Sequence, residues 1–339
     1  MDINQVLQHF ELGATWTFHT IYPYAPVYKV TLEDSTQLVL KQTCADLDEA
    51  LVLAQFTRKL QSSGIDIVAP FPLPKNPICF PICFNNDLAE SDDVDDSSVN
   101  EGNWILYPFI DGDKYQGAFE ELFAAGKLLG KIHMQSSTDN QEGLTVYEEF
   151  DFTEEDISED LETIHVQIIK HGINYPFKKL QAEMKKALKA QSMLSELLLP
   201  KVATPYDYKA DNLIFCHQQS PYIIDPDNAA FLPRIFDLAL ALLLFHNVLA
   251  SAPNRIFTNE EWQYFIKGYC SEVTLSDLEI SHWQYAIPHL FLDEVLWLMA
   301  DFDEGWENER QRALFESLLT FILDAEQRAQ YDLSIHHKS

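Results

Sequence analysis

The chain reads as an α+β protein with a small strand-rich N-terminal lobe and a larger helical C-terminal lobe, and three observations predict this. From residue 15 to about residue 110, β-branched and aromatic residues alternate with polar ones, whereas from residue 118 onward apolar residues recur at helical spacing. The chain's 339 residues exceed the ~250–300 that one hydrophobic core usually holds. Asp111-Gly112-Asp113 interrupts the pattern where the two regimes meet, so residues 1–110 are assigned to the first lobe and 111–339 to the second.

The elements follow in order. Residues 15–22, 27–32 and 37–42 read as strands, the last two joined by the turn-forming Glu33-Asp34-Ser35, and together they start an antiparallel sheet. Between residues 48 and 63, Leu51, Val52, Gln55, Phe56 and Leu60 recur at helical spacing, and Gly64 is the expected stop. Residues 87–102 are rich in acids and serines with little to bury, which predicts a loop between two strands. Residues 103–110 return to an apolar strand. Helices are expected over 118–136, 175–198, 236–250, 260–270, 278–302 and 308–330. Only 213–216 and 222–224 read as strands in this second half, joined as a hairpin through His217-Gln218-Gln219-Ser220-Pro221.

Composition narrows the function classes. There are 23 Lys plus Arg against 53 Asp plus Glu, and the net charge of -30 repels phosphate backbones, so nucleic acid is excluded as a partner. The acidity has two readings, a generally solvated surface or attraction for a cationic substrate. Five cysteines (Cys44, Cys79, Cys83, Cys216 and Cys270) are too few for a disulfide framework, and Cys79 and Cys83 have no further ligand at metal spacing. The start Met1-Asp2-Ile3-Asn4-Gln5 has no basic segment leading into an apolar one, and the apolar run 236–250 is too short to span a bilayer. A cytoplasmic protein with no membrane association is expected.

Chemistry is concentrated around Thr204-Pro205-Tyr206-Asp207-Tyr208-Lys209-Ala210-Asp211-Asn212. Phosphoryl transfer to a hydroxyl needs an acid to orient and deprotonate the nucleophile, together with oxygen ligands for the magnesium ion on the nucleotide's phosphates. Asp207 suits the first task, and Asn212, Asp225 and Asp227 suit the second. Lys209 would project near the same site and could meet the γ-phosphate. The hairpin begins beside Asn212 and ends at Asp225, so it can bring a shared Mg²⁺ within reach of both. Asp237, at the start of an expected helix, could cap that helix or brace the Asp207 loop.

These residues resemble a known family. Asp207-x-Lys209-x-x-Asn212, Ile223-Ile224-Asp225-Pro226-Asp227 and Pro233-Arg234-Ile235-Phe236-Asp237-Leu238-Ala239 look like the aminoglycoside and choline kinase-like phosphotransferases, relatives of the protein kinases. Residues 106–112 and 126–133 extend the likeness, which runs from about Trp16 to Phe302 and is more specific in the second lobe. The resemblance implies a bilobal protein-kinase-like fold with ATP in the cleft, Asp207 as catalytic base, and Asn212 and Asp225 as magnesium ligands. It further implies Lys41 as the lysine on the α- and β-phosphates, Glu49 as its helix partner, and the Pro108 carbonyl and Ile110 N–H as adenine contacts. His133 matches a recurrent histidine for which packing is expected. Two departures stand out: Pro205-Tyr206 replaces the family's His-Gly, and residues 18–28 contain no glycine for a phosphate loop.

The expected activity is ATP-dependent transfer of a phosphate to a small-molecule alcohol, with an aminoglycoside-, spectinomycin- or amino-alcohol-like acceptor. Asp293, Glu294, Asp301, Asp303 and Glu304 could line an amine pocket or form a solvated helix face. Trp262, Trp283, Trp297 and Trp306 could stack on a substrate or pack the core. A protein kinase is the alternative of the same fold, although only eleven residues separate Asp225 from Asp237, too few for an activation segment. A nucleotide-binding relative with weak or no catalysis is the third reading. Hydrolase signatures are absent from the sequence.

Overall fold

The computed structural model describes residues 3–12, 15–22, 25–43, 45–72, 82–83, 103–136, 141–216 and 220–333. The expected loop 87–102, the hairpin tip 217–219, Cys44 and Cys79 lie outside the described residues. The chain divides into two compact units. One comprises Met1–Asp111, Glu142–Leu144 and Ile223–Asp227, and the other Gly112–Gln141, Thr145–Tyr222 and Asn228–Ser339.

The first unit opens with a helix that sequence periodicity did not predict, α1 (Ile3–His9), followed by β1 (Trp16–Tyr22), β2 (Val27–Leu32), β3 (Gln37–Thr43), α2 (Leu47–Ser62), β4 (Ile82–Cys83) and β5 (Asn103–Pro108). The strands form one antiparallel sheet in the order β1-β2-β3-β5-β4. Ile3, Val6, Leu7 and Phe10 from α1 and the residue after its end join Val30, Leu38, Leu40, Trp104 and Leu106 of the sheet in one core. Burial of that apolar face gives so short a helix the stability its propensity lacks. Helix α2 starts at a capping box, in which Asp46 accepts from the Glu49 backbone N–H and Glu49 accepts from that of Asp46. The segment 223–227 joins this unit through a parallel bridge of Ile223 to Ile67, with Val68 N–H donating to the Ile223 carbonyl at 2.8 Å.

The second unit is mainly helical: β6 (Asp113–Lys114), α3 (Phe119–Gln135), β7 (Thr145–Val146), α4 (Glu154–Lys170), α5 (Phe177–Glu196), β8 (Lys201–Thr204), β9 (Leu213–Phe215), β10 (Pro221–Ile223), β11 (Ala230–Pro233), α6 (Arg234–Leu244), α7 (Asn259–Cys270) and α8 (Asp277–Leu290). A π-helical turn, Phe291–Val295, leads into α9 (Leu296–Asp301), and α10 (Asp303–Glu307), α11 (Glu309–Leu323) and α12 (Ala325–Ala329) follow. The passage from the second unit into the first falls within β10. The expectation of only two strands here is corrected, since β6, β7, β8 and β11 are also present. Strand β9 lies between β6 and β10, and β11 runs parallel to β7 and antiparallel to β8. Helix α4 was also unexpected.

Helix α6 is buried from Ile235 to Leu244, which its apolar sequence requires. Helices α3 and α7 approach to backbone contact, because a Cβ on Gly126 would overlap the Phe265 carbonyl and one on Gly268 the Phe123 carbonyl. Trp262, Trp283 and Trp306 are fully buried, with the first two stacked at 5.7 Å, so three of the four tryptophans considered for substrate stacking pack the core instead. Trp297 is 41% exposed. No helix among the described residues is long and apolar enough to cross a membrane.

Candidate active site

Strand β8 delivers the chain to Asp207, and a single 3₁₀ turn, Ala210–Asn212, leads from it into β9. Tyr206 and Asp207 both have left-handed backbone, at φ 54° and 45°. Non-glycine residues rarely occupy this region, at a cost of about 1–2 kcal/mol each, so the surrounding structure must hold them there. Several contacts do so. Tyr208 is buried and donates its phenol to the Ala125 carbonyl at 2.8 Å, and the Ala210 N–H donates to the Phe245 carbonyl at 2.8 Å. Asn212 donates its side-chain amide to the Asp207 carbonyl at 3.0 Å. Lys209 Nζ donates to Asp207 Oδ2 at 2.5 Å, and Asn228 Nδ2 reaches the same oxygen at 3.5 Å. The structure thus brings Asp207, Lys209 and Asn212 together, with the Asp207 side chain 24% exposed.

Behind the loop is a buried polar chain. Asp237 Oδ2 accepts from Thr204 Oγ1 at 2.7 Å and lies 2.9 Å from His133 Nε2, while His133 Nδ1 lies 2.9 Å from the Tyr269 hydroxyl. A carboxylate oxygen only accepts, so Nε2 carries the proton of that contact, and the Tyr269 hydroxyl pairs with Nδ1. Of the two roles expected for Asp237, the contacts support the brace, through Thr204 at the end of β8. His133 packs in the core, as its resemblance to the family's histidine implies.

In the first unit, Lys41 projects from β3 toward the segment that follows β10. Its ammonium lies 2.5 Å from Asp225 Oδ1 and 2.8 Å from Asp227 Oδ2, and Tyr107 of β5 donates to Asp227 at 3.3 Å. Burial pulls the lysine pKa down, but Asp227 and Asp225 outweigh it and hold it up at about 12. Burial raises the Asp227 carboxyl above its ordinary range, with Lys41 opposing and Asp225 adding repulsion. Glu49 is not the partner of Lys41 in this structure. It lies at the third position of α2, where its carboxylate closes the capping box. Pro108 ends β5 opposite Leu38, and Phe109 N–H donates to the Gln37 carbonyl at 3.1 Å, so Ile110 follows directly after the last sheet contact.

Two carboxylates that sequence spacing could not distinguish from a solvated face lie on the π-turn of the second unit. Tyr147 donates to Asp293 Oδ2 at 2.6 Å, and Tyr206 donates to Glu294 Oε1 at 2.8 Å. Burial raises Asp293 to about 7, with Glu294 and Glu149 adding to the shift and Tyr147 opposing it. Burial also raises Glu294, the Tyr206 hydrogen bond opposes, and repulsion from Asp207 adds to the rise. The ordinary value for Asp293 is 3.8, so between 3.8 and about 7 the folded protein keeps a proton that the unfolded chain has lost. Stability therefore falls as pH rises through this window. Melting curves of Asp293→Asn should lose less between these pH values than those of the wild type, and equal losses would show that Asp293 does not carry the dependence.

The sequence matches the model of the phosphotransferase enzyme family over residues 24–269. No curated protein sequence matches the chain. Among solved structures, the fold is similar to the amicoumacin kinase hAmiN in complex with AMP-PNP, Ca2+ and Ami (TM-score 0.65, 18% identity, 96% of this chain and 94% of that one). It is also similar to the microcompartment-associated aminopropanol kinase (TM-score 0.62, 13% identity, 97% and 95%). A third likeness is to the spectinomycin phosphotransferase APH(9)-Ia in complex with ADP and spectinomycin (TM-score 0.57, 18% identity, 96% and 98%). These likenesses establish a kinase-like fold, with an N-terminal antiparallel sheet and a larger helical part. The family match covers more than half the chain, including the Asp207 loop and Asp225, and on that ground the chain belongs to the phosphotransferase enzyme family.

Proposed function

We propose that the protein transfers the γ-phosphate of ATP to a hydroxyl of a small molecule, with an amine-bearing acceptor of the aminoglycoside, spectinomycin or amino-alcohol kind. The observation that carries this reading is the Asp207 loop, where a partly exposed carboxylate is held on a constrained backbone between Lys209 and Asn212. In this reading Asp207 accepts the acceptor's proton as its oxygen attacks the γ-phosphorus, and the bond from that phosphorus to the bridging oxygen breaks to release ADP. Lys209 offers an ammonium to the transferring oxygens.

Lys41 binds the α- and β-phosphates, exchanging a carboxylate partner for phosphate oxygens. Asn212 and Asp225 are the proposed magnesium ligands. The convergence of Asp225 and Asp227 on one cationic nitrogen supports this segment as a place for a hard cation. Asp227 is the more enclosed of the two, with 15% of its side chain exposed against 39% for Asp225, so its role is to anchor Lys41 while Asp225 meets the ion. A bound magnesium ion would neutralise charge on the phosphate oxygens. The amide nitrogen of Asn212 is committed to Asp207, so its oxygen is the ligating atom.

Asp293 and Glu294 support an amine on the acceptor, because a cation beside them would offset the burial and the added repulsion that raise both. The names of the similar kinases are consistent with such an acceptor. A protein kinase is disfavoured, since β11 and the start of α6 occupy the stretch between Asp227 and Asp237, which leaves no activation segment. Thermal shift with ATP, with and without Mg²⁺, followed by an ADP-release screen over choline, homoserine, aminoglycosides and spectinomycin, tests the reading. Magnesium-dependent stabilisation and turnover on an amine-bearing alcohol are expected. Stabilisation without turnover across the panel would favour a non-catalytic nucleotide binder.

A further inference from the structure

Pro205-Tyr206 stands where the resembling family has His-Gly, and the structure shows what the replacement does. Glycine would accept a left-handed backbone freely, whereas here a tyrosine occupies it at φ 54°, directly before Asp207 at φ 45°. Pro205 is buried and has no N–H, so it cannot anchor this turn through a backbone donor. Besides the contacts at Tyr208, Ala210 and Asn212, the turn is anchored by the Tyr206 side chain, whose hydroxyl donates to Glu294 Oε1 at 2.8 Å. Glu294 lies on the π-turn Phe291–Val295. The acceptor oxygen is therefore itself held by a buried stretch of helix, in which Phe291, Leu292 and Val295 are all in the core. A π-turn inserted in a helical rod shifts the register of the side chains it carries, and such turns recur at functional sites.

We propose that Tyr206 is a positioning residue: its phenol, tied to Glu294 on the π-turn, holds the left-handed backbone that aims the Asp207 carboxylate. The proposal rests on the reading of Asp207 as the base, and it adds a mechanical link between the catalytic loop and the helix that carries Asp293 and Glu294. Neither the Tyr206 ring nor Glu294 need touch a nucleotide for this role. The hydrogen bond fixes the loop against the π-turn.

The test is Tyr206→Phe, which removes one oxygen and keeps the ring. Backbone amide hydrogen exchange over residues 206–209 should quicken by about tenfold, the worth of one hydrogen bond, while α6 amides keep their protection. Glu294→Gln, whose amide oxygen still accepts from the phenol, should retain wild-type exchange in the loop, and Glu294→Leu should match Tyr206→Phe. In the ADP-release assay, Tyr206→Phe should lower kcat by roughly 10- to 100-fold with the KM for ATP unchanged. Melting should shift by less than about 4 °C, which separates a local effect from unfolding. Wild-type exchange at 206–209 in Tyr206→Phe, or faster exchange with kcat unaltered, would overturn the proposal. The exchange measurement needs no turnover, so a wild type that forms no ADP would defeat the kinase reading while leaving the loop result legible.

Discussion

Asp207→Asn is expected to lower phosphate transfer by about 10²- to 10⁴-fold while ATP binding is retained. Asparagine keeps the size of the side chain and an oxygen that can accept from Lys209, which now lies 2.5 Å from the carboxylate. The Asn212 amide donates to the backbone carbonyl at position 207, a contact the substitution leaves in place. The loop should thus hold its shape, and the loss is the proton acceptor itself. In single-turnover measurements the chemical step should slow while the KM for ATP changes little, because none of the groups assigned to the nucleotide is altered. An equal loss of ATP affinity would mean that Asp207 binds the nucleotide rather than the attacking hydroxyl.

The second large effect is expected at Lys41. Replacing it with methionine leaves Asp225 and Asp227 facing each other without their common cation, and Asp227 is largely enclosed. Breaking a buried pair from one side costs about 3–5 kcal/mol, and the partial exposure of Asp225 reduces this to about 2–4 kcal/mol here. Chemical denaturation should show that loss, and the thermal stabilisation by MgATP should disappear. Adding Asp227→Asn to Lys41→Met should recover much of the stability, because it removes the buried uncompensated charge, but not the nucleotide effect. If the double variant is no more stable than the single one, the carboxylates are not what Lys41 holds in check.

How much could be read beforehand follows from the physics of each element. Strands β1, β2 and β3 were legible because a half-exposed antiparallel sheet writes its two faces into alternate residues. Strands β8 and β11 are four residues long and mostly buried, so they show no alternation. Helix α1 is seven residues long and stable only against the sheet beneath it. Helix α4 did carry a readable signal, since Ile157, Leu161, Ile164 and Ile168 fall on one face behind a Thr153 capping box.

The candidate site divides in the same way. Asp207, Lys209 and Asn212 lie within six residues, so their meeting is local and the motif shows it. The partners of Lys41 are set by the bridge from Ile67 to Ile223, which no spacing reveals, and Glu49 was claimed first by the end of its own helix. Tyr206 and Glu294 are 88 positions apart, and their bond depends on a π-turn that no simple periodicity announces. The departure from His-Gly is visible in the sequence, whereas the tie from Tyr206 to Glu294 is a property of the fold.

The most direct test of the central claim follows the phosphate itself. Purified wild-type protein and Asp207→Asn are incubated with MgATP and the panel of amine-bearing alcohols, and the products are identified by ³¹P NMR. A phosphate monoester of one acceptor, formed with ADP by the wild type and not by Asp207→Asn, is the predicted result. ATP that binds yet yields no ester, or ester formed equally by both proteins, would contradict the account.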